Sequence, residues 1–192
     1  MSKNEQHFHL PFEKYGVTLK PLAEADLEMV REWRNSPEIA QHMLDQSHIT
    51  EEMQRTWFNG LRNEDNRAYW VAWFKHEPIG VASLVNINRT AGTAEPGMYI
   101  YPQKYRNNIV PFCVAFILND YAFSEIGLSL LLGKIFTDNE ASIRFHEKCG
   151  YVPVSEVEAQ RPAISGKQLI HYELNQTNYE RAKQPIARFI RY

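Results

Sequence analysis

Between Glu95 and Tyr151 the chain runs EPGMYIYPQKYRNNIVPFCVAFILNDYAFSEIGLSLLLGKIFTDNEASIRFHEKCGY, and no other stretch restricts the fold as tightly. Met98 and Ile100 alternate with Tyr99 and Tyr101, which predicts a strand. A polar loop closed by Pro111 then leads into a long apolar helix, a second strand near Leu130 and a helix capped by Asn139. Strand, helix and strand in succession require a crossover and local parallel pairing of the two strands. A strand that feeds a loop and then a helix aims backbone N–H groups at one spot, and that spot favours an anion.

These residues resemble the central part of the GNAT superfamily of acyl-CoA-dependent N-acyltransferases. Glu95 and Gly97 open the first strand, Pro102 ends it, Arg106 starts the loop, and Asn139 to Tyr151 (NEASIRFHEKCGY) is similar to the family's Asn-x-x-Ser-x-x-x-Tyr-Glu-Lys-x-Gly-Phe. Upstream, Trp33-Arg34-Asn35-Ser36-Pro37, the Ile79-Gly80-Val81 strand and Val85-Asn86-Ile87 narrow the resemblance. It is nearest to the amino-sugar N-acetyltransferases of pseudaminic-acid-type pathways, and next to the ribosomal-protein N-terminal acetyltransferases. It covers roughly Val17 to Leu174.

The loop departs from the pattern. Where the family writes Arg-Gly-x-Gly-x-Ala or Gly, this chain has Arg106, Asn107, Asn108, Ile109, Val110 and Pro111. Glycine lets a backbone approach a pyrophosphate closely and take positive φ. Asparagine tolerates left-handed geometry better than most residues, so Asn107 and Asn108 are the expected substitutes. Pro111 suits the first helical turn but withdraws one N–H. A lost hydrogen bond to a charged group costs about 1.5–3 kcal/mol, or roughly 10–150-fold in affinity.

With 192 residues, 44% of them hydrophobic and 23% charged, and a formal net charge of −2, the chain fits a single domain over 1–192, with 1–14 and 184–192 as terminal extensions. Neither a basic excess nor a Lys/Arg stripe marks a nucleic-acid binder. Cys113 and Cys149 lie in helix-like apolar patterns without metal spacing, as reduced core thiols, and a cytoplasmic setting follows. The longest apolar run, Ile109 to Leu118, is too short to span a bilayer. His7 and His9 lack the partners a metal needs, and Ser83 lacks a nucleophile elbow.

Taken in order, Val17 to Leu22 is a predicted strand and Asp26 to Arg34 a helix. Ser36 caps a short helix from Pro37 to about Met43, and Thr50 caps another from Glu51 to Leu61 with Met53, Trp57 and Leu61 on one side. Tyr69 to Phe74 and Ile79 to Ile87 form a hairpin turning at Lys75 to Pro78. Tyr151 to Val157 and Gln168 to Leu174 are the last strands, turning at Gly166 and Lys167, and Thr177 caps a helix ending near Lys183. The expected class is α/β (α+β): a mixed, largely antiparallel sheet with helices on both faces. In the tail, Arg188 and Arg191 beside Phe189 either meet a phosphate or partner, or are solvated.

The resemblance implies a fold of GNAT type and transfer of an acetyl group from acetyl-CoA to a primary amine, in the first instance an amino sugar nucleotide. A protein amino terminus is the alternative acceptor, and a catalytically degenerate binding module is the alternative from another class. It also implies partners: a small-molecule amine, no nucleic acid, no membrane, with a homodimer left open. Tyr99, Ile100 and Tyr101 would hold the pantetheine arm by their main chain, Arg106, Asn107 and Asn108 would meet the pyrophosphate, and Asn139 would bond the arm or serve only as a cap. Arg34, Asn35, His42 and Met43 would wall the acceptor, or Arg34 and Asn35 simply end a helix. His146 stands where the family has a tyrosine proton donor; an imidazole of pKa near 6.5 replaces a phenol near 10 and is the expected base or hydrogen-bonding group, unless it is a helix-surface histidine beside a buried Ala141, Phe145 and Cys149 face. Glu95 is the second catalytic candidate. Lys134 occupies the strand position where some amino-sugar relatives carry a glutamate.

Overall fold

A computed structural model describes residues 11–61, 64–154 and 168–191. Its sheet has eight strands in the order β1-β2-β3-β4-β5-β6-β8-β7. These are β1 (Phe12–Lys14), β2 (Val17–Pro21), β3 (Ala68–Phe74), β4 (Glu77–Asn88), β5 (Thr93–Ile100), β6 (Leu130–Phe136), β7 (Val152–Pro153) and β8 (Leu169–Asn175). The described helices are α1 (Leu27–Asn35), α2 (Pro37–Ala40), α3 (Glu51–Leu61), α4 (Gln103–Arg106), α5 (Val110–Asp120), α6 (Glu140–Lys148) and α7 (Gln176–Ala187). Neighbouring strands run antiparallel except β5 and β6, the pair joined through α5.

Local chemistry explains most of these elements. The β3–β4 turn puts Lys75 and His76 at φ 49° and 64°, the two positive values that a tight hairpin matching the strand twist requires. Close approach of β4 to β5 demands Gly80, where a Cβ would lie 2.0 Å from the Tyr99 carbonyl oxygen. The helix α5 is apolar on all sides and is accordingly buried. It shares one core with Leu131, Ile135, Leu174 and Tyr179, while α1 sets Val30 against Val71 and Val81 on the opposite sheet face. Helices therefore cover both faces.

Asp120, at the end of α5, is buried and receives four donors. Tyr179 and Lys183 of α7 donate to Oδ1 at 2.6 and 2.9 Å, and Tyr15 donates to Oδ2 at 2.7 Å, joined there by Lys14. The carboxylate thus ties β1 and α7 to the central helix. Burial alone would raise its pKa, but the hydrogen bonds together outweigh burial and hold it below the usual carboxylate value.

Several expectations need correction. In α3 the inward residues are Gln54 and Phe58, and Met53 is exposed, because i, i+4 spacing fits either row and packing chooses between them. The helix from Pro37 stops at Ala40. Asn175, not Thr177, caps α7 by accepting from the Asn178 N–H at 2.9 Å, and α7 continues past Lys183 through Pro185 to Ala187. Phe12–Lys14 forms a strand edge, while Ile186 and Ile190 pack on the core. Of Tyr151 to Val157, only Val152 and Pro153 are strand within the described residues; Ser155 to Val157, Gly166 and Lys167 lie outside them, as do His7 and His9. The Ala141, Phe145 and Cys149 row buries only Cys149 fully. No described helix is long and apolar enough to cross a membrane.

Candidate active site

The parallel ladder of β5 and β6 is confined to Thr93 with Leu130 and Ala94 with Leu131. Pro96 accounts for the stop. The Tyr101 N–H donates to Ile79 on β4 at 2.9 Å, so by alternation Tyr99, Gly97 and Glu95 point their backbone groups toward β4 and residues 96, 98 and 100 point theirs toward β6. Proline has no N–H to offer there, and the strands part. A cavity of about 800 Å³ opens between them, bounded by β5, β6, α6, the 106–112 loop and residues 38–44.

This alternation sorts the coenzyme candidates. Ile100 turns its main chain toward the cleft, and so does Met98, which the sequence reading passed over although the Met98–Tyr101 alternation contained the signal. Tyr99 and Tyr101 turn theirs toward β4; the Tyr99 hydroxyl donates to the Val30 carbonyl at 3.4 Å, and the Tyr101 ring stacks on Trp33 at 5.4 Å. Arg106 donates from Nε to the Ile100 carbonyl at 2.8 Å and from its terminal nitrogens to Glu38 at 2.7 Å and to the Tyr101 carbonyl. Its guanidinium therefore braces the loop against α2.

Neither asparagine of the loop supplies left-handed backbone: Asn107 has φ −109°, and Asn108 is not among the positive-φ residues. Asn108 instead works by its side chain, accepting the Val110 N–H at 2.8 Å and donating to the Lys104 carbonyl at 3.0 Å. Both asparagines line the cavity. The Cys113 N–H is bonded to Ile109, and Pro111 has none, so the start of α5 keeps few donors for an anion. Arg144 and Lys148, one turn apart on α6, border the same cavity and bring positive charge to it. Their i, i+4 spacing after the Asn139 cap was the available signal.

On the acceptor side, His42 and Met43 line the cavity. Arg34 and Asn35 do not. Asn35 exchanges two 2.8 Å hydrogen bonds with the Ile49 backbone, and Arg34 donates to the Asp45 carbonyl, so both fasten the segment that carries His42 and Met43. The α3 helix contributes no lining residue. Asn139 is not among the residues lining the cavity; its Nδ2 approaches His42 Nδ1 at 3.4 Å while its Oδ1 caps α6 by accepting from Ser142 N–H at 3.1 Å.

His146, from α6, and Glu95, from β5, both line the cavity. His146 Nδ1 lies 2.8 Å from the Ser142 carbonyl oxygen. A carbonyl only accepts, so Nδ1 carries the proton and the neutral ring leaves the Nε2 lone pair available. Burial lowers the His146 pKa, opposed by the Ser142 bond. Around it, burial pushes the Cys149 thiol up to about 12 and the Tyr151 phenol higher still, so both stay protonated at neutral pH. Gly150, at φ 95°, ends α6 where a Cβ would lie 2.6 Å from the Asn178 carbonyl oxygen, and so fixes the approach of this helix to α7. Glu95 accepts from Lys134 at 2.8 and 2.9 Å and from Asn86 at 3.0 Å; the β4 bulge, with Asn86 at φ 52°, brings that amide round.

Two strands splayed after a short parallel contact, a helix start beneath them and a neutral histidine beside the opening define an acyl-transfer cleft. The acetyltransferase (GNAT) domain profile matches residues 17–152, and the chain belongs to that family. It is an acyl-CoA-dependent N-acetyltransferase with acetyl-CoA as cosubstrate. The chain is 27% identical over 138 residues to acetyltransferase PseH of Campylobacter jejuni, a match covering 69% of this chain and 82% of that one. Among solved structures it is similar to a spermidine N-acetyltransferase of Vibrio cholerae in complex with CoA and spermine (TM-score 0.76, 19% identity, 87% and 99% of the two chains). It is also similar to apo FdhC, a nucleotide-linked sugar GNAT (TM-score 0.76, 18% identity, 95% and 99%). Those two likenesses establish the shared fold.

Proposed function

We propose that the protein acetylates the primary amine of an amino sugar carried on a nucleotide, with His146 as the base. The observation that carries this reading is the wall of the acceptor end: Glu38, Ile39, His42, Met43 and Leu44 line it, which suits a compact acceptor better than a through-going peptide groove. The 27% identity to PseH supports the same choice.

When bound, acetyl-CoA supplies the acyl group as a thioester. The N–H groups of Met98 and Ile100 would hold its extended arm, and Asn107, Arg144 and Lys148 would meet its phosphates. The reaction makes one C–N bond, breaks one C–S bond and moves one proton from nitrogen to sulfur. His146 Nε2 receives that proton from the amine, and the Ser142 carbonyl stabilises the imidazolium that forms by keeping the Nδ1–H bond. Glu95, held by Lys134 and Asn86, lines the same cavity with its oxygens already engaged. A cytoplasmic location and a monomer or homodimer are both compatible with this chemistry.

An acceptor panel tests the reading. With saturating acetyl-CoA, a nucleoside-diphosphate-linked 4-amino sugar should be acetylated with kcat/KM at least about 100-fold above spermidine or an N-terminal peptide, a gap of about 2.7 kcal/mol in transition-state binding. Turnover of the peptide or the polyamine alone would overturn it.

A further inference from the structure

The cavity wall carries four cationic side chains, Arg106, Lys134, Arg144 and Lys148, against two carboxylates, Glu38 and Glu95. Both carboxylates are already engaged. Glu38 accepts from Arg106 at 2.7 Å, and Glu95 takes both oxygens to Lys134 at 2.8 and 2.9 Å with Asn86 adding a third bond at 3.0 Å. The Glu95–Lys134 pair is sheltered, its side chains 20% and 27% exposed, so solvent screens it less than a surface pair. Lys134 reaches this place because β6 stays in register with β8 while it leaves β5, which sets Leu132 and Lys134 on the cavity side.

A polyamine acceptor needs a free carboxylate to hold its second ammonium while the first amine reacts. Here that carboxylate is covered, and the covering group is itself a cation. An acceptor bearing a phosphate meets the reverse situation, since the ammonium of Lys134 can share its donors with an incoming anion. Discrimination of this kind works through a repulsive element against the wrong partner as much as through attraction to the right one.

We infer that Lys134 is the acceptor-selecting residue: by neutralising Glu95 inside the cleft it excludes polycationic amines and admits an amine attached to an anionic group. The inference rests on the proposed function for its favoured acceptor and adds the residue that enforces it.

The experiment compares the wild type with Lys134→Met, which keeps the length of the side chain and removes its charge. Steady-state kinetics are measured on the same nucleoside-diphosphate-linked 4-amino sugar and on spermidine, at saturating acetyl-CoA. For the sugar, KM should rise about 10–100-fold with kcat little changed, as expected for loss of a hydrogen bond to a charged group. For spermidine, kcat/KM should rise about tenfold or more as Glu95 is uncovered, so the ratio between acceptors moves at least about 100-fold. Lys134→Arg should keep the wild-type ratio. A lysine that served only to hold the strand would depress both acceptors together and leave their ratio alone. A ratio within about threefold of wild type in Lys134→Met overturns the inference. If melting shows that the methionine variant fails to fold, Lys134→Gln is read by the same criterion. The wild-type ratio judges the amino-sugar reading separately: a wild type that prefers spermidine sinks that reading, whereas a sugar-preferring wild type with an unmoved variant ratio sinks only the role of Lys134.

Discussion

Replacing His146 with phenylalanine keeps the ring and removes both nitrogens, so it separates chemistry from packing. Two costs can be worked out. The lost Nδ1–H bond to the Ser142 carbonyl is a neutral, partly buried one, worth about 1 kcal/mol, which for a chain of this size lowers Tm by roughly 2–4 °C. Loss of a positioned base costs about 10²–10⁴-fold in turnover, or roughly 2.7–5.4 kcal/mol. Stability should therefore barely move while kcat collapses, and acetyl-CoA affinity should stay near wild type. Burial sets the pH signature, because it lowers the His146 pKa below its ordinary 6.5. Wild-type kcat/KM should climb with pH through that lowered value and level off at lower pH than an unperturbed histidine would give; the phenylalanine variant should lack the limb. His146→Tyr should recover part of the rate with the limb gone, since a phenol near 10 does not titrate there. Stopped assays over pH 4.5 to 8 on purified variants, with melting curves beside them, check each point. Wild-type turnover in His146→Phe would refute the reasoning, and so would a wild-type rate that falls across the window, which would make imidazolium the acid.

Acetyl-CoA should bind this chain in the tens to hundreds of micromolar, because Pro111 offers no N–H and Asn108 occupies that of Val110; Asn108→Gly, which frees the Val110 donor, should tighten binding by about tenfold in calorimetry, and an unchanged Kd would clear the loop of blame. Asp120→Asn leaves Lys183 with the more exposed Glu180 as its carboxylate partner and should cost about 1–3 kcal/mol, lowering Tm by roughly 2–12 °C; a drop under about 2 °C would demote Asp120 to an incidental contact. Its lowered folded pKa has a definite sign: the contribution is complete above the unfolded carboxylate value near 3.9 and disappears as pH falls through the folded one, so acid unfolding of Asp120→Asn should have a shallower pH dependence than that of the wild type.

Much of the fold was legible because the signals were local. Pro102, Pro111, the Asn139 cap and Gly150 punctuate strands and helices by backbone chemistry that acts within a few residues, and the apolar run in α5 could only be buried. The rotation of α3 was not legible, because the 53/57/61 and 54/58 rows have the same spacing and only Tyr69, which meets Trp57 edge-on at 4.8 Å, and the neighbouring core settle which row turns inward. In the site, His42, Met43, His146, Glu95, Asn107 and Asn108 line one cavity, while Arg34 and Asn35 are drawn off by the backbone of the 45–49 segment. That bond is made across eleven to fourteen residues of irregular chain, where no periodicity announces it. Likewise, Lys134 and Glu95 stand 39 residues apart, and only the parting of β5 from β6 makes them a pair.

That pairing bears on how the work of the cleft is divided. Glu95 already accepts three N–H bonds, two of them from the Lys134 ammonium, so its oxygens are committed within the cleft wall. On the proposed mechanism the proton then falls to the histidine on α6. Its Nδ1–H is committed to Ser142, its Nε2 has no hydrogen-bond partner among the described residues, and burial favours its neutral form. On that reading, lysine in place of a strand glutamate and imidazole in place of a phenol are two halves of one arrangement, in which the carboxylate of the cleft is neutralised and the proton acceptor is uncharged. An anionic acceptor gains from the first half and is not repelled by the second. A polycationic one finds no unengaged carboxylate in the first and no compensation in the second.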